Sequence, residues 1–323
     1  MKSIHTCPVC GEASGLRYGA LLAPFIAAWV KPEISQHLCS FKRCNGCGLG
    51  FFEQRFNQQE MDRLYASYRS PAYLKCRRAY EPWYTEALNE SNLSPGVIAT
   101  RRSQLEAYLS KQLPRLSDDL VIVDLGGDAG QFIPRCFDAD CYVIESSDRV
   151  PWPAITRVND LTGVRPANQL LLICSHVLEH LPEPLAFLRV QLQKAQQQAA
   201  EVMVYLEVPL ESFHMLPGTQ TSLYRAYLRT LQTPWLHWLW MPLDLLSLLS
   251  RRFLGLVFPP LVLKLHEHIN VFSETSLARL AQQLDLEIVN LQTCHQASLS
   301  GDQGIIRLLA VMPRNDRAPS GCV

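Results

Sequence analysis

Four apolar segments in the middle of the chain have the pattern of strands that are buried on both faces. They lie at residues 121–123, 141–144, 170–174 and 201–209, and they are rich in Val, Ile and Leu. Runs of this kind are typical of a parallel sheet that helices cover on both sides. Because the segments alternate with helical stretches, the pattern predicts a doubly wound α/β domain.

The clearest helix signal comes later in the chain. Leu277, Leu280 and Leu284 recur at helical spacing, which predicts an amphipathic helix. Ser273 stands before them as the predicted N-cap residue. A further strand is predicted to begin near Glu287.

Residues 233–265 are the most apolar part of the chain. No charge-free run there reaches the ~18–20 residues that a bilayer span requires, because Asp244 and the Arg251-Arg252 pair interrupt it. A transmembrane helix is therefore not expected. Residues 211–264 are predicted to form a hydrophobic helical insertion, and three interpretations stay open: a lid on the catalytic domain, an interfacial helix pair, or a dimer interface.

The first strand segment leads into a glycine-rich turn, "DLGGDAG" at residues 124–130, and a helix is predicted to follow near Gln131. Glycines at such a turn allow a close approach of the backbone to a ligand. Asp128 stands where the dinucleotide fingerprint needs its second glycine, and the lysine of a P-loop is missing. These departures disfavour a dinucleotide and a triphosphate as the ligand.

Two C-x-x-C pairs near the N-terminus have the spacing of a metal site. Cys7 pairs with Cys10, and Cys44 pairs with Cys47. Four thiolates suit a closed tetrahedral site, which is structural because no ligand position is left for water. The pairs therefore predict a structural Zn²⁺ ion in a small N-terminal zinc-binding module.

Composition and charge narrow the range of partners. Lysine plus arginine equals aspartate plus glutamate at 30 each in 323 residues, so a nucleic-acid partner is disfavoured. The N-terminus lacks an apolar signal-peptide core, which predicts a cytoplasmic protein. Peripheral contact of residues 233–263 with the inner face of the membrane is a further expectation. Eleven cysteines in such a protein indicate thiols and metal rather than disulfides.

The glycine turn and its surroundings resemble the class I S-adenosylmethionine-dependent methyltransferases. The likeness rests on "DLGGDAG", on Glu145 after the second strand segment and on "SHVLEHLPEP" at residues 175–184. It implies a Rossmann-like doubly wound sheet whose turn holds S-adenosylmethionine, while Glu145 accepts hydrogen bonds from the ribose. The cofactor-binding residues that it implies are Asp124, Gly126, Gly127, Gly130, Glu145, Asp160, Ser175 and His176. For Asp160, a turn or cap role is the alternative.

A cysteine module ahead of such a domain resembles the sugar C-methyltransferases and polysaccharide-cluster methyltransferases. In that group, "LYASYRSPAY" at residues 64–73 corresponds to a tyrosine-rich segment that closes over the cofactor. Tyr65, Tyr68 and Tyr73 are its candidate residues, with packing as the alternative role.

The "HEH" triplet at residues 266–268 corresponds in the same group to an acid/base pair. The resemblance therefore implies Glu267 and His268 as catalytic residues, with His268 as the candidate general base. A histidine with a pKa near ~6.5 is matched to proton removal at neutral pH. Metal binding by the triplet is disfavoured, because the two histidines lack helical spacing and a third ligand.

The resemblance to sugar C-methyltransferases is incomplete. Those enzymes have a further C-terminal domain and lack the 211–264 insertion, so the expected acceptor is broader: a saccharide or glycolipid-type intermediate, either a small molecule or lipid-linked. A non-catalytic scaffold of the same fold and an RNA methyltransferase that grips RNA through its zinc module are the alternatives. The expected organisation is a zinc-binding module and cofactor-closing segment (1–80), a helical linker (81–118), the cofactor-binding core (119–210), the insertion (211–264) and the C-terminal part of the core (265–323).

Overall fold

Two larger sheets with flanking helices form the described part of the chain. A computed structural model describes residues 1–33, 37–113, 115–145, 149–233, 236–296 and 303–313. The strands are β1 (Lys2–Ser3), β2 (Gly15–Leu22), β3 (Leu38–Cys44), β4 (Gly50–Phe52), β5 (Gln54–Arg55), β6 (Leu120–Leu125), β7 (Ala139–Ile144), β8 (Ile155–Val158), β9 (Ala167–Ser175), β10 (Ala199–Pro209), β11 (His214–Met215), β12 (Leu256–Val257), β13 (Lys264–Leu265), β14 (Asn270–Val271), β15 (Glu287–Gln296) and β16 (Gln303–Val311). The helices are α1 (Pro24–Val30), α2 (Gln58–Tyr65), α3 (Pro71–Tyr80), α4 (Glu86–Asn89), α5 (Pro95–Gln112), α6 (Pro184–Gln198), α7 (Ser222–Leu231), α8 (His237–Leu249) and α9 (Glu274–Gln282).

The larger sheet has seven strands in the order β15-β16-β10-β9-β6-β7-β8. Strands β10, β9, β6, β7 and β8 run parallel, whereas β16 runs antiparallel to both β10 and β15. All four apolar segments predicted as strands lie in the parallel part, and β15 begins at Glu287 as predicted. The predicted doubly wound α/β sheet is therefore present.

Strand β6 shows why its sequence is apolar at every position. Val121 and Val123 face the layer formed by α6 and α9, whereas Leu120 and Ile122 face α5. Successive side chains of a strand point to opposite faces, so a strand with a helical layer on each side must be apolar throughout. Helix α5, which lies in the segment predicted as a linker, is thus one of the two layers of the catalytic domain.

The helix predicted near Gln131 is absent; residues 126–138, all of them described, form turns and bends. Pro134 lacks the backbone N–H that a continuing helix would use. Side chains of α5 hold the segment instead: the Arg102 guanidinium donates to the Gln131 carbonyl at 2.6 Å, and the Glu106 carboxylate accepts from the Arg135 N–H at 2.7 Å. Helix α9 does begin after Ser273, whose side chain caps it as predicted.

The second sheet has five strands in the order β13-β2-β3-β4-β14. Its centre comes from the N-terminal module, but its two edge strands come from residues 264–271. The predicted boundary at residue 265 is therefore wrong. The "HEH" triplet connects β13 to β14, the two edge strands of this N-terminal sheet. It belongs to this sheet, because β13 pairs with β2 and β14 pairs with β4.

The 211–264 insertion is helical, as predicted, and packs on the N-terminal sheet. Tyr224 and Leu228 of α7 and Trp240 of α8 form one core with Leu21 of β2. Residues 234–235 lie outside the described chain. None of the described helices is both long and apolar enough to cross a membrane.

A buried charge cluster explains the aspartate within this apolar segment. The Lys264 ammonium lies 2.7 Å from the Asp244 carboxylate and also contacts Glu81, and all three side chains are buried. His266 contacts the same Glu81 carboxylate at 3.2 Å. Removing one partner of such a cluster would leave a buried charge uncompensated, so the cluster fixes the insertion against the chain that precedes α4.

Candidate active site

The glycine-rich turn after β6 contains backbone conformations that favour glycine. Gly126 and Gly130 have φ values of 70° and 73°, and a Cβ at Gly127 would stand 2.1 Å from the Asp124 carboxylate. Asp128 is also left-handed, at φ 57°, a conformation that aspartate tolerates better than most residues. The glycine missing from the usual motif is therefore replaced by a residue that can adopt the same backbone shape.

Glu145 meets this turn from the end of β7. Its carboxylate accepts a hydrogen bond from the Asp128 backbone N–H at 3.1 Å. Asp124 lies at the end of β6 and is buried. Burial, followed by the charge of Glu145, raises the pKa of Asp124 to about 7. The structure thus brings four predicted elements together, namely Asp124, the glycines, the turn backbone and Glu145.

Ser175 and His176 lie at the next strand end and share one buried carboxylate, Glu207 of β10. The Ser175 hydroxyl donates to Glu207 at 2.7 Å, and His176 Nε2 lies 3.3 Å from the same oxygen. Arg101 of α5 and Gln296 also contact Glu207. Burial lowers the pKa of His176, but Glu179 and Glu207 outweigh it and raise that pKa to about 9.

His268, the predicted base, is paired with a carboxylate that the sequence did not reveal. Its Nδ1 contacts the Glu211 carboxylate directly. Burial lowers the pKa of His268, but the charge of Glu211 and the hydrogen bond to it outweigh burial and raise that pKa to about 9. The carboxylate beside this histidine therefore moves its pKa above the ordinary value that the sequence led us to expect.

Glu267, the second predicted catalytic residue, lies in an ion pair. Its carboxylate accepts from the Tyr73 hydroxyl and lies 3.2 Å from the Arg77 guanidinium. Burial raises the pKa of Glu267, but Arg77 and His266 lead the effects that lower it to about 2. Its predicted role in proton transfer stays a prediction, and its contacts show that it fastens α3 to the "HEH" segment.

The predicted tyrosines pack on this segment. Tyr73 is fully buried, with its ring edge against Phe25, and the Tyr68 hydroxyl lies 3.5 Å from Glu267. Burial, then the charges of groups that include Glu267, Glu179 and Glu145, raise the pKa of Tyr65. The Tyr65 ring packs against the rings of Tyr68 and His180, whereas closure over the cofactor stays a prediction.

Asp160 has the contacts of a turn or cap residue, which was the alternative to its predicted role in cofactor binding. It is the N-cap residue of a short 3₁₀ turn, accepts from the Thr162 N–H at 2.9 Å and lies 2.8 Å from the Lys194 ammonium. Its predicted contact with the cofactor stays a prediction.

Sequence reasoning missed three acids at the site, namely the buried Glu179 and Glu207 and the half-buried Glu211. The signal was available for one of them. An acid within the apolar strand "YLEVP" is a sign of a paired, buried charge, and Glu207 occupies that position. Glu211 gave no such signal, because it follows the strand in an ordinary loop sequence.

The four predicted metal ligands of the N-terminal module converge. The Sγ atoms of Cys7 and Cys47 lie 3.6 Å apart, and those of Cys10 and Cys44 lie 3.5 Å apart. All four sulfur atoms lie within 4.8 Å of one another. Four thiolates at about 2.3 Å from one tetrahedral ion would be roughly 3.8 Å apart, so the cluster has the dimensions of a metal site.

Residues 97–291 match the family model of the methyltransferase domain. The match covers more than half of the chain, so the chain belongs to the methyltransferase domain family, and its doubly wound sheet is the class I methyltransferase fold. The protein is an S-adenosylmethionine-dependent methyltransferase.

Solved methyltransferase structures resemble the chain at low identity. The 1,6-didemethyltoxoflavin-N1-methyltransferase of Burkholderia thailandensis, with bound 1,6-didemethyltoxoflavin and S-adenosylhomocysteine, is 12% identical, with 87% of this chain and 97% of that chain covered and a TM-score of 0.41. The magnesium protoporphyrin IX methyltransferase of Synechocystis PCC 6803 is 14% identical, with 66% and 82% covered and a TM-score of 0.33. No curated protein matches the chain in sequence.

The residues around the turn fit S-adenosylmethionine chemically. The cofactor has an ammonium group, a sulfonium group and a ribose diol, and no phosphate. Three carboxylates, from Asp124, Asp128 and Glu145, surround the turn. Burial is the first cause of the raised pKa of Asp124, and the charge of Glu145 is the second; a cationic ligand would offset both.

We expect Glu145→Ala and Gly126→Val each to abolish cofactor binding. The first removes the carboxylate that the resemblance assigns to the ribose, and the second places a side chain in a left-handed backbone where a Cβ would stand 2.8 Å from Val177. Isothermal titration with S-adenosylmethionine measures the effect, with the exposed Glu90→Ala as the matched control. An unchanged isotherm for folded Glu145→Ala would remove Glu145 from the site.

Proposed function

We propose that the protein transfers the methyl group of S-adenosylmethionine to a saccharide or glycolipid-type biosynthetic intermediate, with His268 at the acceptor. The observation that carries the proposal is a line of buried and half-buried titratable side chains that runs from the glycine turn to a cleft. It runs through Asp124, Glu207, His176, Glu179, His180, His268 and Glu211.

The cleft at the end of this line supports an acceptor with hydroxyl groups. It has a volume of about 360 Å³ and is lined by Glu211, aromatic side chains such as Phe41 and Phe213, and the exposed Arg43. Hydroxyls from Ser212, Ser273, Thr275 and Thr293 also line it. Aromatic faces with a few polar groups are suited to a small ligand such as a sugar, and an arginine suits an attached phosphate.

Methyl transfer needs the acceptor held in line with the methyl group and freed of a proton. The cofactor, when bound, supplies the methyl group and the leaving group. In our proposal, the neutral form of His268 takes the acceptor's proton, and Glu211 orients the ring and stabilises the charge that results. Glu267 positions His268 through Tyr73 and Arg77.

We expect His268→Gln to lower methyl transfer by about 10²–10⁴-fold, the usual range for a lost general acid or base, with unchanged cofactor affinity. The assay offers radiolabelled S-adenosylmethionine together with nucleotide-activated sugars, polyprenyl-phosphate-linked saccharides and structured RNA. The exposed His5→Gln serves as the control.

Label in a saccharide supports the proposal. Label in RNA alone would favour the RNA methyltransferase, and a protein that binds no S-adenosylmethionine would favour the non-catalytic scaffold. Undiminished saccharide labelling by His268→Gln would remove that residue from the reaction.

We further propose that the four-cysteine cluster holds one structural Zn²⁺ ion. The sulfur spacing supports this, and so does the surrounding packing: Cys7, Cys44 and Cys47 are buried in the same core as α9 and the catalytic sheet. A closed site there would fix the N-terminal sheet against α9 without entering the reaction.

Metal analysis is therefore expected to find one zinc per chain that dialysis against EDTA does not remove. Cys44→Ser should lose it and unfold at a lower temperature, because a structural zinc contributes directly to folding. The exposed Cys136→Ser is the matched control. Absence of tightly held zinc in the parent would contradict the assignment.

The insertion supports an acceptor with an apolar part, such as a lipid carrier. Helix α8 and the π-helical turn after it expose Leu246 and Phe253 at 53% and 74%. The charged side chains along this stretch are the buried Asp244, the half-buried Arg251 and the exposed Arg252. An exposed apolar face with arginines and no exposed acid suits an anionic membrane surface.

We expect the chain to co-sediment with phosphatidylglycerol vesicles and the double variant Leu246→Glu/Phe253→Glu to bind at least about tenfold more weakly, because each glutamate replaces apolar area that would leave water. Val190→Glu, an equally apolar exposed position on α6, is the control. Equal sedimentation of parent and double variant would contradict membrane contact through this face.

A further inference from the structure

The buried carboxylate of Glu179 has no hydrogen-bond partner on either oxygen among the described residues. Its side chain is 1% exposed, and Oε1 lies 3.4 Å from Nδ1 of His176 and 3.9 Å from Nε2 of His180. Neither contact has hydrogen-bond geometry. Buried carboxylates are normally hydrogen-bonded, paired or bound to a metal ion, so this side chain faces a position where a cation would be stabilised.

The neighbouring ring of His180 presents a lone pair to the same position. Its Nδ1 lies 3.1 Å from the backbone carbonyl of Glu267, which can only accept, so Nδ1 carries the proton. In the neutral ring, Nε2 is then an acceptor, and it faces the Glu179 carboxylate. A nitrogen lone pair and a carboxylate oxygen 3.9 Å apart repel each other, and a positive ion between them would turn this repulsion into attraction.

His268 reaches the same position from the "HEH" segment. Its Nδ1 is engaged by Glu211, which leaves Nε2 as its remaining ligand atom, and its ring lies 4.7 Å from that of His180. Ligand atoms of Glu179, His180 and His268 all lie within 4.8 Å of one another. Two atoms bound to one ion at about 2.1 Å would be roughly 3–4 Å apart, so small side-chain shifts would complete the geometry.

We propose that Glu179, His180 and His268 bind a divalent first-row transition-metal ion. The second contacts of both rings match those of metal-ligating histidines, in which the other ring nitrogen donates to a backbone carbonyl or to a carboxylate. Two imidazoles with one carboxylate suit ions such as Mn²⁺, Fe²⁺, Co²⁺ or Zn²⁺. The site is separate from the four-cysteine cluster, whose ligands are all thiolates.

Three protein ligands leave coordination positions for other oxygen atoms. An acceptor hydroxyl bound there would become more acidic, because the ion stabilises the alkoxide. This use of the site rests on the proposed function but changes the part of His268: with Nε2 on the ion and Nδ1 on Glu211, His268 would hold the ion, and the acceptor's proton would pass to water in the cleft. Binding of the ion itself depends only on the three side chains.

The sequence disfavoured metal at "HEH" for want of a third ligand, and the triplet contributes only His268 to the proposed site. His266 points away from His268 and contacts Glu81 and the Phe25 ring. The missing ligands come instead from "LEH" at residues 178–180, 87 positions before the carbonyl that fixes the His180 ring. Only the fold joins these two short segments.

Equilibrium dialysis with Co²⁺, on protein whose four-cysteine site carries zinc, tests the proposal. The expected result is one bound Co²⁺ per chain, with visible d–d absorption and no thiolate charge-transfer band. Glu179→Gln and His180→Gln should each weaken this binding by at least about tenfold. The exposed His214→Gln should bind like the parent.

Thermal unfolding provides a second readout that does not need activity. Co²⁺ should raise the unfolding temperature of the parent and of His214→Gln, but not that of Glu179→Gln. The isosteric Glu179→Gln should fold, because it keeps the shape of a side chain whose oxygens make no hydrogen bond. The proposal is overturned if the parent binds no Co²⁺ beyond the cysteine site, or if both variants bind it like the parent. Cofactor titration on the same samples shows separately whether the methyltransferase site is intact.

Discussion

One backbone carbonyl, that of Glu179, joins the two sheets of this protein at the active site. It accepts hydrogen bonds from two successive amides, those of Ile269 at 2.8 Å and Asn270 at 3.0 Å. The Asn270 side chain adds bonds to the Leu178 and Leu181 carbonyls at 2.9 and 2.8 Å. Because Asn270 also begins β14, the edge of the N-terminal sheet is fixed directly to the loop after β9. The position of "HEH" relative to the cofactor turn depends on this joint.

The joint determines how charge is distributed in the site. Acids from the catalytic sheet, such as Glu207, and bases from the loops around it are buried together, where each would be unstable alone. The result is opposite pKa shifts: Glu207 is held well below its usual pKa, while the pKa values of His176 and His268 are raised to about 9. The most deeply buried of these groups, Glu179 and Glu207, are shielded from water, so their contacts are stronger than they would be at the surface.

In the proposed function, the two added units form the acceptor side of the methyltransferase sheet. The parallel strands supply the cofactor turn, whereas the N-terminal sheet and the insertion surround the end of β10, where Glu211 lines the cleft. The buried Lys264–Asp244–Glu81 cluster anchors the insertion at the entry to the "HEH" segment. Any acceptor in the cleft would therefore contact elements that the shared fold does not provide, as is usual for specificity in α/β enzymes.

The sequence alone was enough for the features that depend on local spacing. Buried strands, the Ser273 cap, the cysteine pairs and the glycine turn each follow from residues a few positions apart, and all were found where they were predicted. The helix predicted after the turn shows where local spacing fails to predict structure. That helix is absent, because Arg102 and Glu106 of α5 hold the segment in another conformation. The grouping of the candidate active-site residues could not be predicted from local spacing either. Glu179 and His180, Glu211, and His268 are separated by many residues, and only the pairing of β14 with β4 and its bonds to the Glu179 carbonyl bring them together. The pKa values of these groups were equally inaccessible, because a pKa in a buried site is set by neighbours in space and not by neighbours in the chain.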